Sequence, residues 1–232
     1  MRVTRVAVVT SLLIVLCAGL PSYAGESGFL SKDSIDLLAL LAPPPGLQDP
    51  RTKAELDELR QIQTTRTPER VAMAQADVEE TVFRLTVVLN KGLMPERLPK
   101  TAALFKKLTV DEEVATDPAK KGFARPRPYA VASDLQPVCP LSKSGAYPSG
   151  HTTIGYYMGI VLAAMVPEQR AAIFARTQEF GESRMVCGVH YRTDIEAGRI
   201  AGTAMAAVLM NDPQFRAEFA AARAELRAAL GL

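Results

Sequence analysis

No window of this chain sustains the strict alternation of apolar and polar residues that marks a half-buried strand, and after about residue 50 the pattern reads as helix almost throughout. Residues 54–64 are rich in Glu, Leu, Arg and Gln. Thr67 and Pro68 pair an N-cap with a first-turn proline and open a second run, predicted to reach Asn90 and to close at Gly92. A third stretch, 98–114, is organised around Ala102, Leu104, Phe105 and Leu108. Asp117-Pro118 repeats the cap-plus-proline start, which predicts a separate short helix carrying Lys120 and ended by Pro126 and Pro128. Residues 129–147 lack periodicity, contain Pro137, Pro140 and Gly145, and read as a loop. Four further helices are predicted at 152–165, 168–186, 191–210 and 213–230. The fold class expected is therefore all-α, a single-domain helical bundle over residues 51–232. Gly155, Gly159, Gly198 and Gly202 each cost about 1 kcal/mol relative to alanine inside a helix, so close backbone approach between central helices is the expected reason for them.

The N-terminal pattern differs. Arg2 and Arg5 lead an apolar run from Val6 to Leu20, followed by Pro21-Ser22-Tyr23-Ala24. That is the layout of a signal peptide over residues 1–24, cut before Gly25. The run falls short of the roughly 20 apolar residues that span a bilayer. Leu16 before Cys17 argues against lipid attachment there, because a small residue is expected at that position. Residues 25–50 read as an extended arm, since Pro43-Pro44-Pro45-Gly46 cannot be helical.

Composition and charge narrow the picture. The chain has 232 residues, 48% apolar and 22% charged, enough for one sizeable core. Removal of residues 1–24 takes two arginines and no acids, which leaves 25 basic residues against 25 acidic ones. A binder of nucleic acid or of an anionic membrane would show a basic excess, so neither is an expected partner. After cleavage the cysteines are Cys139 and Cys187; in an exported chain they suggest a disulfide, with two free thiols as the alternative.

Three short clusters carry the chemistry. The first is Ser183-Arg184 with His190 and Asp194. Four residues separate His190 from Asp194, so on one helix they would share a face. A carboxylate accepting the Nδ1–H would leave Nε2 unprotonated and nucleophilic. Taken alone, the pair could equally be a capping or surface ion pair. The second cluster, Pro148-Ser149-Gly150-His151, precedes an apolar helix, where backbone N–H groups and the positive end of the helix dipole receive an anion. By itself it could be an ordinary helix start, with Ser149 a plain cap. Beside a bound anion, His151 would act as a general acid. The third cluster supplies fixed charge. Of two Arg-Pro pairs, Arg127-Pro128 has a lysine, Lys120, seven residues before it, whereas Arg125-Pro126 has Pro118 there. Lys120, Arg127 and Arg184 would surround a phosphoryl dianion and stabilise its transition state electrostatically. With two histidines and no carboxylate cluster, no metal set is expected, and no cofactor.

Lys120-x6-Arg127-Pro128, Pro148-Ser149-Gly150-His151 and Ser183-Arg184-x5-His190-x3-Asp194 together resemble the signature of the acid phosphatase and vanadium haloperoxidase superfamily, also called the type 2 phosphatidic acid phosphatase superfamily. Residues 141–152, with Gly181-Glu182-Ser183-Arg184 and the proline-rich arm, resemble more narrowly a bacterial class A non-specific acid phosphatase. The resemblance runs from about Asp36 to the C-terminus. It implies a periplasmic or secreted, metal-independent acid phosphatase acting broadly on phosphomonoesters. In it His190 would form a phosphohistidine, Asp194 would orient it, and His151 would serve as acid and then base. Lys120, Arg127, Arg184, Ser149 and Gly150 would hold the phosphate. The resemblance also implies a homo-oligomer, with the arm at Pro43 to Pro45 as a contact. Phosphotransfer to a hydroxyl other than water is an expected side activity. Two alternatives remain: a vanadium-dependent haloperoxidase and a non-catalytic phosphate-binding protein. Ala146 stands where the class often has Ser, and residues 93–107 match it poorly, which bears on selectivity rather than chemistry.

Overall fold

The computed structural model describes residues 27–89 and 92–232. The expected signal peptide at 1–24, Cys17 and the predicted helix end at Asn90 lie outside the described residues. Among the described residues every regular element is helical. In chain order these are α1 (Leu37–Leu40), α2 (Pro50–Thr65), α3 (Pro68–Ala76), α4 (Pro99–Phe123), α5 (Pro128–Val131), α6 (Gly150–Met165), α7 (Arg170–Val186), α8 (Arg192–Leu209) and α9 (Pro213–Leu230), with short 3-10 turns between some of them. Thr67 caps α3 ahead of Pro68 as the sequence predicts, and the same chemistry recurs where Asp49 caps α2 ahead of Pro50, four residues before the predicted start at 54, and where Asp212 caps α9 ahead of Pro213.

The core forms around α6, which is buried along nearly its whole length. Ile154, Tyr157, Val161 and Leu162 pack with Phe105 and Leu108 of α4, Phe180 of α7, Met205 of α8 and Phe215 of α9. Each such side chain contributes about 1.5–3 kcal/mol by leaving water. The α6–α8 contact is closest. A Cβ on Gly202 would stand 2.3 Å from the Thr153 carbonyl oxygen, and one on Gly198 would stand 2.7 Å from that of Ser149. Glycine at these positions lets two backbones touch, and that contact ties the middle of α8 to the start of α6. The arm lies against α4: Leu37 and Leu41 join the core, the Leu30 N–H donates to Asp111 Oδ1 at 2.8 Å, and the Tyr147 hydroxyl donates to the Ala42 carbonyl at 2.7 Å. It is irregular through Pro43 to Pro45 and helical for one turn at α1.

Four predicted boundaries are corrected. The run from Thr67 stops at Ala76 and gives way to 3-10 turns at Val82–Arg84 and Thr86–Leu89. At the break, the Asp77 carbonyl accepts from the His151 ring, and its carboxylate accepts from Arg84, Arg176 and Ser183. Asp77 thus turns toward side chains rather than continuing the helix. Asp117-Pro118 starts no new helix, because α4 runs through Pro118. Leu104, Phe105, Leu108, Ala115 and Ala119 are buried along one continuous face, and that burial outweighs the roughly 3 kcal/mol a mid-helix proline costs. The helix beginning at 168 is instead a 3-10 turn, Pro167–Gln169, followed by α7, and the 129–147 loop begins with the single turn of α5.

Candidate active site

Three helices and three connecting segments converge on a cavity of about 390 Å³ lined by Lys120, Arg127, Gly150, His151, Arg184 and His190, with the carboxylates Glu80 and Glu112 on its wall. Lys120 comes from the last turn of α4, Gly150 and His151 head α6, and Arg184 lies in the last turn of α7. Arg127 precedes α5, and His190 precedes Tyr191, the N-cap of α8. A larger, mostly apolar cavity of about 540 Å³ lies next to it and shares Glu80.

His190 is 3% exposed and held from both sides. Its Nδ1 lies 3.1 Å from Asp194 Oδ2, and Arg127 Nη1 donates to its Nε2 across 2.8 Å. An arginine can only donate, so Nε2 carries a lone pair and the proton sits on Nδ1. Burial, and then the charges of Arg127, Arg184 and Lys120, push the imidazolium form of His190 well below the ordinary 6.5. The ring is therefore neutral with Nε2 as the basic atom. Asp194 is at the third position of α8, where its Oδ2 also accepts the Tyr191 N–H at 2.9 Å. Its Oδ1 accepts from Arg125 at 2.6 Å. Burial pushes the Asp194 carboxyl upward while Arg125 and the Tyr191 amide pull it back; every close neighbour is a donor, so this geometry holds the anion.

Arg125 completes a buried chain behind the histidine. It also binds Thr193 Oγ1 at 2.6 Å and Glu55 Oε2 at 2.9 Å, and its guanidinium lies 3.9 Å over the Tyr191 ring. Sequence spacing set Arg125 aside as a cavity cation, and the structure keeps it off that cavity's wall, but nothing in the spacing pointed to this role, and Glu55 on α2 carried no signal at all.

His151 faces two acceptors. Its Nδ1 lies 2.6 Å from Glu80 Oε1, and its Nε2 meets the Asp77 carbonyl. A carbonyl and an ionised carboxylate both require donors, so the doubly protonated ring satisfies both. Burial would raise Glu80, but the His151 bond and the charges of Lys120 and Arg184 leave it below the usual range, so the carboxylate is ionised. Phe180 stacks on the ring at 4.7 Å. Neither Glu80 nor Asp77 was legible in sequence, because both lie in a segment that the pattern read as plain helix.

The cations are poorly paired. Among the described residues, Lys120, Arg127 and Arg184 have no carboxylate within ion-pair distance, and the buried Nε of Arg184 has no hydrogen-bond partner. Burial lowers Arg184 to about 10, against the pull of Glu80. Gly150 heads α6, where the first amides lack intrahelical acceptors. Ser149 does not line the cavity: its buried hydroxyl oxygen caps α6, accepting from the Thr152 N–H at 3.3 Å and the Thr152 hydroxyl at 3.0 Å. Cys139 and Cys187 are joined in a disulfide, which links the loop before α6 to the end of α7.

Residues 103–218 match the model of the PAP2 superfamily. The chain is 35% identical to an acid phosphatase of Zymomonas mobilis over 84% of its own length and 76% of that protein. It is 32% identical to a non-specific acid phosphatase of Salmonella typhimurium over 84% of its length and 82% of that protein. Among solved structures, a bacterial vanadium-dependent iodoperoxidase superposes with a TM-score of 0.58 at 17% identity, over 74% of this chain but only 52% of that one. A transmembrane PAP2-type phosphatidylglycerolphosphate phosphatase from Bacillus subtilis superposes with a TM-score of 0.52 at 18% identity, over 77% of this chain and 91% of that one.

Proposed function

The chain belongs to the PAP2 superfamily, and on that premise we propose that it is a broad-specificity acid phosphatase, a phosphoric monoester hydrolase that works through a phosphohistidine on His190. The observation that carries this reading is three cations without carboxylate partners around an unprotonated His190 Nε2. An anion of two charges with several acceptor oxygens is what such a site lacks. A phosphoryl group is such an anion.

In the first step Nε2 attacks phosphorus, a P–N bond forms and the ester P–O bond breaks. Arg127 leaves Nε2 for an equatorial phosphoryl oxygen, beside Lys120, Arg184 and the Gly150 amide, and these four hold the charge that accumulates there. Asp194 keeps Nδ1–H in place and stabilises the positive ring. His151 gives a proton to the departing alkoxide. Its Nε2–H is anchored on the buried Asp77 carbonyl, so the proton on Nδ1, facing Glu80 and the cavity, is the one transferred. In the second step Nδ1 takes a proton from water, the oxygen attacks phosphorus, the P–N bond breaks and inorganic phosphate leaves. Ser149 acts from behind, fixing the turn that presents Gly150 and His151.

Acidic conditions suit this division, because His190 stays neutral where an ordinary histidine charges. The layout of residues 1–24 and the disulfide support an exported protein. Release of nitrophenol from a chromogenic phosphate ester at pH 5–6 by the mature chain, in the presence of chelator, tests the proposal. Turnover that disappears in His190→Ala is expected. Absence of turnover, or bromide oxidation with vanadate and peroxide in its place, would overturn it.

A further inference from the structure

Glu112 is a buried acid inside the phosphate cavity that the proposed reaction does not use. It lies two turns before Lys120 on α4 and is 5% exposed. Its Oε1 accepts from the Thr116 hydroxyl at 2.8 Å, and its Oε2 has no hydrogen-bond partner among the described residues. A Cβ placed on Gly150 would fall 2.6 Å from Glu112 Oε1 and 2.5 Å from Lys120 Nζ, so the carboxyl and the ammonium flank the same point at the start of α6. On the phosphatase reading, a phosphoryl oxygen held by Lys120 and the first amides of α6 comes close to this point.

We propose that Glu112, as a carboxylic acid, is a further phosphate-binding residue that donates from Oε2 to a phosphoryl oxygen lodged between Lys120 and the Gly150 amide, and that its ionised form drives the anion out. The proposal rests on the phosphatase reading above. An ionised carboxylate beside a phosphate dianion has two acceptors facing each other and no proton between them. A carboxylic acid supplies the missing donor.

The surroundings favour the acid form. Burial raises Glu112 to about 7; Lys120 and the Thr116 bond lower it, while Glu80 across the cavity and Glu113 on its own helix raise it. The other walls present cations and the two histidines: Arg127 before α5, His151 on α6, Arg184 on α7 and His190 before α8. Bound phosphate would push Glu112 further upward, so above neutrality binding would draw a proton onto it. Proton uptake and affinity are then one linked equilibrium.

The test measures binding of inorganic phosphate to the mature protein from pH 6 to 8, by calorimetry in two buffers of different ionisation heat and by competitive inhibition. Phosphate's own titration is common to every variant and cancels in ratios. For the unaltered protein, affinity relative to Glu112→Gln should fall about tenfold per pH unit above 7, and binding at pH 8 should take up close to one proton more. Thr116→Val removes a bond that favours the anion and should move the weakening to higher pH, a shift that a purely packing role for Glu112 does not produce. Parallel weakening in all three proteins, with equal proton uptake, would overturn the inference while leaving turnover intact. Loss of phosphate binding and turnover in the unaltered protein would overturn both it and the phosphatase reading.

Discussion

At the scale of single residues, the site depends on which atoms carry protons. The His190 tautomer is fixed by a donor on one side and an acceptor on the other, and Asp194→Asn would offer an amide donor to Nδ1 and invert it. We expect kcat on a chromogenic ester to fall about 10³–10⁴-fold with the fold retained, the loss typical of a wrong tautomer behind a nucleophilic centre. The sequence singled out Lys120, Arg127, Gly150, His151, Arg184 and His190, which the structure brings to one cavity, because their types and spacings form recognisable motifs; Ser149, singled out with them, lies behind the cavity as a helix cap. The sequence was silent about Glu55, Asp77, Glu80 and Glu112 and gave no sign of what Arg125 would hold, because these groups are brought to the site only by folding. Arg125 pairs with Asp194 and Glu55 at 2% side-chain exposure, so Arg125→Met would strand two buried carboxylates. Its cost should be about 3–5 kcal/mol in urea unfolding, larger than that of removing any surface pair.

At the scale of elements, capping chemistry gave the start at Thr67-Pro68 but misplaced one at Asp117-Pro118, and packing decided where helices stop. The 168–186 prediction merged a 3-10 turn with α7, a distinction that periodicity does not carry. Pro118 illustrates the limit: local rules make it a start, while the buried face of α4 carries the helix past it. The same continuity places Lys120 two turns from Glu112 on one rigid element. Central glycines were legible as signs of close approach but not of which helices meet. Gly198 and Gly202 set α8 against the backbone of α6, whereas Gly155 and Gly159 on α6 make room for the side chains of Phe180 and Thr177 on α7 rather than for a backbone. Gly202→Ala would drive a methyl against the Thr153 carbonyl. A loss of about 1–3 kcal/mol in thermal or urea unfolding is expected, with a fall in kcat beyond it because the two histidines separate.

At the scale of the whole molecule, the disulfide closes a separation of 48 residues that contains α6 and α7. Its reduction should destabilise the protein by up to about 4 kcal/mol, read as a drop in urea midpoint with reductant. Stability should also fall toward both ends of the pH range. His190 is lowered below 6.5, so as pH drops through that value the unfolded chain takes up a proton that the folded ring refuses. Glu112 is raised from 4.5 to about 7, so across that window the folded protein keeps a proton the unfolded chain has lost, and its stabilising contribution fades as pH rises. Urea midpoints from pH 4.5 to 8 should show the alkaline decline reduced in Glu112→Gln. The all-α class could be read from the pattern, but the arrangement that turns three separate clusters into one cavity could not, because it is set by contacts between α4, α6, α7 and α8.

The most direct test of the account is chemical trapping of the intermediate. Protein mixed with a phosphomonoester labelled in its phosphoryl group and quenched in alkali within the first turnover should carry label that survives alkali, is released by acid, and maps to the peptide containing His190. His190→Ala should carry none, and His151→Ala should accumulate label from an activated ester because its water step is slowed. Label on His190→Ala, or label placed on any residue other than His190 in the unaltered protein, would contradict the account.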